Sequence, residues 1–154
     1  SLVGSEMCIR DRDKTYKNNM LRKITDANLE KRILFLGKKP FEDLPKLFQG
    51  MSIVAALSRN EGYGLTPLEG MASGAAVLTS SEGVWDELVR DGIDGYVVKT
   101  NDVFLTSERL NTLIENSSKT KIMGENAAKY ISENFSVEKE AEQIIQHIRY
   151  VQNI

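Results

Sequence analysis

Glu61 and Glu69 stand eight positions apart in the stretch NEGYGLTPLEGMASG, which joins a short apolar run to a helix-forming segment. Carboxylates accept hydrogen bonds from hydroxyl groups. The loop between them carries Gly62 and Gly64 and opens into a helix start, where free backbone N–H groups converge on one spot suited to phosphate oxygens. A ligand with an anionic middle and hydroxylated ends would satisfy both kinds of group, and a sugar nucleotide has that form. A plainer reading stands beside this one. Glu69 can be the return half of a capping box and Glu61 an ordinary loop charge, and on local pattern alone that is the commoner case.

The elements that must position this pair are legible as patterns. Residues 51–57 (MSIVAAL) form a continuous apolar run of the length of a strand buried on both faces, and residues 58–64 are polar with two glycines, so the chain leaves the sheet there. A helix should follow at once, with Thr66 as N-cap, Pro67 at the first helical position, Glu69 completing a T-x-x-E box and Gly74 as terminator. The same order repeats. Strand 75–79 runs into Ser80, Ser81, Glu82, Gly83 and Val84, then into a helix with Trp85, Glu87, Leu88 and Val89. Asp91, Gly92, Asp94 and Gly95 read as a turn into strand 96–98, and residues 33–36 read as an earlier strand preceded by a helix over 13–31 with Met20, Leu21, Ile24 and Ala27 on its apolar face. Four apolar runs alternating with helical or polar sequence predict an open parallel α/β sheet. From Asp102 onward the chain reads as helix, with Ser136 as N-cap of the last one.

Composition narrows the function classes. With 154 residues, 41% of them hydrophobic and 27% charged, the chain can bury an ordinary core and is not of the disordered class. A formal net charge of -2 and scattered basic residues argue against nucleic acid as a partner. No apolar run approaches the roughly 20 residues of a membrane span. A single cysteine, Cys8, and a single histidine, His147, leave no cluster with metal-ligand spacing, so no metal site is expected; His147 reads as a helix residue without a role. The cysteine usage fits a cytoplasmic protein, with peripheral attachment to the inner membrane left open for a longer parent.

RNEGYGLTPLEGMASG followed by AAVLTSSEGVWDELVRDGIDGYVV resembles the donor-binding half of retaining glycosyltransferases of family 4, whose E-x7-E motif would have Glu61 and Glu69 at its ends. The wording SRNEGYGLTPLE is similar to that of lipopolysaccharide core mannosyltransferases. The resemblance implies a partial Rossmann-like doubly wound parallel sheet, the C-terminal half of a GT-B fold, with a helical C-terminus. It implies that Glu61 touches donor-sugar hydroxyls and acts as the catalytic residue. The amides of Gly62, Tyr63, Gly64, Leu65 and Thr66 would approach sugar and diphosphate, and Glu69 would hold the ribose. Gly83 and Val84 would form a second donor-side turn, where the family usually has two glycines and this chain has valine at the second position. No cofactor is implied beyond a nucleoside diphosphate sugar as donor substrate. A glycan or lipid-linked acceptor would be held by another domain.

Residues 1–12 (SLVGSEMCIRDR) match nothing downstream, and MCIRD resembles the translation of a sequencing-adaptor end, so a cloning or sequencing scar is expected there and the domain itself over residues 13–154. In the family order 3-2-1-4-5-6 the four apolar runs correspond to strands three to six. Strands one and two, with the arginine and lysine that usually meet the diphosphate, are not matched. Run 33–36 is therefore expected to stand apart from the other three or to pair abnormally, and this chain is expected to be inactive by itself. Three other readings remain: a nucleotide-sugar binding module without transfer, a phosphate-handling α/β scaffold domain, and a nucleotide-sugar epimerase, for which no acid and base are evident.

Overall fold

The structure is a computed structural model and describes residues 14–37, 39–60, 62 and 64–152. The chain divides into two compact units, residues 1–51 and 52–154.

In the first unit, helix α1 spans Lys14–Asp26 and half-buries Met20 and Ile24, one turn apart on one face. It is shorter than the sequence pattern suggests. Asn28 takes a left-handed φ of 55°, a conformation that asparagine tolerates better than most residues, and the helix closes before it. A 3-10 turn at Phe41–Asp43 leads into α2 at Leu44–Gln49. The expected strand 33–36 does not form. Leu34, Phe35, Leu36 and Gly37 have no regular secondary structure, and Leu34 and Phe35 are exposed. Ile33 alone makes an isolated bridge, and among the described residues no ladder extends from it, so the run does not become a strand.

The second unit is built on a three-stranded parallel sheet of β1 (Ile53–Ala56), β2 (Ala76–Ser80) and β3 (Gly95–Val98) in that order. The register sets Val54 beside Val77, and Ala56 and Val97 on either side of Thr79. The central strand, AVLTS, is buried at every residue, as a strand covered on both faces must be. On one face Ala76, Leu78, Tyr96 and Val98 meet Leu113 of α5 (Val103–Glu115) and Met123 of α6 (Ser117–Asn134), with Leu105 and Leu110 closing the edge. Each such buried aliphatic side chain is worth about 1.5–3 kcal/mol. On the other face lies α3 (Thr66–Ala72), and α4 (Trp85–Leu88) buries Trp85 completely. Gly70 brings α3 down onto β1: a Cβ there would lie 2.9 Å from the Val54 side chain.

Local chemistry explains where each helix starts and stops. At the end of α3, Gly74 adopts φ 83°, its N–H donates to Met71 and that of Ala75 to Gly70, so the orphan carbonyls are satisfied while the chain reverses into β2. Asp102 caps α5 through the Leu105 amide at 2.9 Å, and Asn116 caps α6 through the Lys119 amide at 3.0 Å. The Ser136 hydroxyl accepts from the Lys139 amide at 3.2 Å, as expected, and α7 (Val137–Gln152) follows with Ile144, Ile145, Ile148 and Val151 exposed. Among the described residues no helix is long and apolar enough to cross a membrane.

Candidate functional site

All three strands run the same way, so their C-terminal ends place the loops after Ala56, Ser80 and Val98 at one edge of the sheet. Open α/β sheets bind ligands outside that edge. Both loops singled out from sequence, 58–65 and 81–84, lie there, between a strand and the helix that follows it.

The first loop enters α3 differently from the sequence expectation. The helix is capped by Leu65, with φ -87° and ψ -19°, and no side chain bonds to its first amides. Thr66 is already helical, so the T-x-x-E box is not formed. The reason is a shift of one residue: once Thr66 takes helical angles its hydroxyl no longer stands outside the first turn, and the Glu69 amide is used by the Leu65 carbonyl at 2.9 Å.

That shift frees Glu69. The residue is half-buried, and its Oε2 atom is buried without a hydrogen-bond partner. A buried carboxylate oxygen left unpartnered forfeits its hydration, at a cost of about 1–3 kcal/mol, unless something supplies a donor. Among the described residues no acceptor takes the amides of Gly62, Gly64 or Leu65, and Gly64 has a positive φ of 37°. An unpaired buried acceptor one helical turn from unpaired loop donors suits a ligand with hydroxyls at one place and oxyanions at another. Glu61 and Tyr63 lie outside the described residues. Gly62 and Leu65 are exposed and Thr66 is half-buried.

In the second loop Gly83 has φ 70°, which its lack of a Cβ permits, and Val84 caps α4 with φ -106° and ψ 8°. Glu82 accepts a hydrogen bond from Thr100 Oγ1 at 2.5 Å, tying this loop to the one after β3, while Ser80 Oγ donates to the Ser58 carbonyl at 2.6 Å and ties the first loop to β2. These cross-loop bonds were not evident from sequence, since neither joins residues closer than eighteen positions.

The aspartates read as turn formers have structural roles. Asp91 Oδ1 accepts from the Val97 amide at 2.9 Å. Asp94 is fully buried and gripped by Arg90, Nε to Oδ2 at 2.7 Å and Nη2 to Oδ1 at 2.6 Å, while the Arg90 guanidinium also covers the Tyr130 ring at 4.3 Å. The hydrogen bond to Asp94 holds the Arg90 pKa above its ordinary value.

A parallel sheet with helices on both faces and its polar loops gathered at the strand C-termini defines a Rossmann-like α/β binding domain. Residues 2–130 match the family Glycosyl transferases group 1, and the chain belongs to that family. It is 39% identical over 121 residues to the lipopolysaccharide core biosynthesis mannosyltransferase LpcC of Rhizobium leguminosarum bv. viciae, an overlap of 79% of this chain and 34% of that protein. With LpsB of Rhizobium meliloti it shares 28% identity over 131 residues, 84% of this chain and 37% of the relative. The chain thus spans about a third of the length of these curated relatives. Among solved structures it superposes on the C-terminal domain of LpcC from Francisella tularensis with a TM-score of 0.77 at 29% identity, covering 83% of this chain and 66% of that one. It superposes on HepE of Anabaena in complex with UDP with a TM-score of 0.78 at 29% identity, covering 88% and 37%. The expected fold class, a GT-B C-terminal domain, is the fold found.

Proposed function

We propose that this chain is the donor-binding part of a retaining glycosyltransferase that moves a sugar, mannose in the reading favoured here, from a nucleoside diphosphate sugar to a lipopolysaccharide-type or other glycan acceptor. The observation that carries the proposal is the buried, unpartnered Oε2 of Glu69 at the start of α3. In this reading it accepts hydrogen bonds from the ribose hydroxyls. The amides of Gly62 to Thr66 receive the diphosphate and the sugar, Gly83 and Val84 bound the far side, and Glu61 meets the transferred sugar. Departure of the nucleoside diphosphate develops negative charge at the bridging oxygen and positive character at the sugar carbon. Fixed amide dipoles stabilise the first without reorganising, and a carboxylate near the sugar stabilises the second.

Support comes from the family membership, from the mannosyltransferase names of the two relatives above, and from HepE structures that hold UDP and UDP-glucose. Most of the acceptor, a glycan or lipid-linked glycan, would be bound outside this chain, and a parent working at the cytoplasmic side of the inner membrane fits such an acceptor. Titration calorimetry of the 154-residue chain with UDP-glucose and with GDP-mannose tests the reading. Binding of either, weakened about tenfold or more by Glu69→Ala with the fold unchanged by circular dichroism, is expected. Equal affinity of wild type and variant would overturn the role of Glu69.

A further inference from the structure

A second feature lies at the same edge of the sheet. A cleft of about 190 Å³ opens beyond the strand ends and is lined by Ser58, Arg59, Ser80, Lys99, Thr100 and Asn101, with an apolar wall that includes Leu57, Val98 and Val103. Its volume is roughly that of six water molecules, enough for an oxyanion with part of a sugar ring. Among the described residues, none of those carrying the donor reading lines it.

The polar groups of the cleft divide into those already used and those still free. Ser80 Oγ is committed to the Ser58 carbonyl, Thr100 Oγ1 to Glu82, and Asp102 Oδ1 to the Leu105 amide that it caps. Arg59 and Lys99 form no ion pair among the described residues. Asp102 also lines the cleft and keeps its negative charge while it caps α5, so the lining carries two cations against one carboxylate, and the two cations have donors to spare. Two cations converging on one cleft attract an anion more strongly than either would alone, and the apolar wall reduces solvent screening on one side. That wall also suits the C–H face of a sugar.

Resting on the transferase reading above, we infer that this cleft takes a phosphate or carboxylate group carried by the sugar acceptor, and so makes the enzyme selective for anionic acceptors. Arg59 reaches it from the end of β1, immediately before the donor loop, and Lys99 from the end of β3. The anion is thereby held beside the donor and separate from its diphosphate.

The test is an amide-resolved NMR titration of the 154-residue chain with glucose 6-phosphate, inorganic phosphate and glucose, repeated in the presence of saturating UDP-glucose. Saturable shifts at Ser58, Arg59 and Lys99 to Asn101 are expected with glucose 6-phosphate, and weaker ones with inorganic phosphate. None is expected with glucose. Saturating UDP-glucose should change the affinity less than twofold, and the double variant Arg59→Ala/Lys99→Ala should lower it about tenfold or more while leaving the UDP-glucose shifts in place. Competition by UDP-glucose would make the cleft part of the donor diphosphate site and overturn the inference. So would the absence of saturable shifts, equal affinity for glucose, binding of inorganic phosphate as tight as that of glucose 6-phosphate, or an unaffected double variant. Glu69→Ala separates the two readings: it should weaken UDP-glucose binding about tenfold or more and leave glucose 6-phosphate binding to the cleft unchanged.

Discussion

At the scale of single residues, the Arg90–Asp94 pair shows how position decides the worth of a charge. Asp94 has no exposure, whereas the Arg90 side chain is 42% exposed. Removing the arginine side chain leaves a buried carboxylate with no countercharge and only the residue-90 amide at 3.2 Å; removing the aspartate leaves a cation that can turn to water. Arg90→Ala should therefore cost about 3 kcal/mol of unfolding free energy and Asp94→Ala distinctly less, which urea denaturation of the two variants will show. The sign of the pH dependence follows from the raised Arg90 pKa. A cation whose folded pKa exceeds its unfolded value contributes fully below the unfolded value and loses that contribution only as pH rises through the folded one, so raising the pH from neutral to about 10 should not weaken this pair, as urea denaturation at the two pH values will show. Gly95 gives a second expectation. A Cβ there would lie 1.9 Å from the Val77 carbonyl oxygen, which belongs to the backbone of the central strand and cannot move aside. Gly95→Ala should lower stability by at least about 2 kcal/mol, measured by thermal unfolding.

At the scale of elements, sequence pattern was a good guide where a single segment carries its own signal. Strands β1, β2 and β3 fall inside or within a residue of the apolar runs, and the stop at Gly74 and the Ser136 cap are as read. It failed where the outcome depended on a neighbour. Run 33–36 has the composition of a strand, but only Ile33 makes a bridge and no ladder extends from it among the described residues, in keeping with the expectation that it stands apart from the other three. Thr66 has the composition of a cap and lies one residue inside its helix. The break between α5 and α6 at Asn116, within a stretch of unbroken helical periodicity, rests on that residue's cap to Lys119. Asp102→Ala should destabilise the second unit by about 1 kcal/mol through loss of the α5 cap, whereas Thr66→Val, with no cap bond to lose, should change stability by less than about 0.5 kcal/mol. Chemical denaturation of both variants checks the contrast.

At the scale of the whole molecule, the C-terminal helix stands out for what it leaves uncovered. Ile144, Ile145, Ile148 and Val151 lie along α7 and are all about half exposed, so this apolar stripe contributes little burial here. Ile144→Ser/Ile148→Ser should therefore shift the unfolding midpoint only slightly, by less than about 1 kcal/mol, and should raise solubility, as measured by static light scattering against concentration. A loss of several kcal/mol would mean that the stripe is buried in solution.

Sequence by itself determined the family, the α/β alternation, the position of the loop between β1 and α3 and the identity of Glu69 as a residue to watch, because each of these is written in a contiguous run of side-chain types whose spacing follows from backbone geometry. Only the tertiary structure decided that Glu69 is not spent on a capping box, that its Oε2 is buried without a donor, and that Arg59 and Lys99, forty positions apart in the chain, line one cleft. Those facts depend on hydrogen-bond partners and burial, which are properties of what lies across a strand or a helix face, and the one-dimensional order of residues does not contain them.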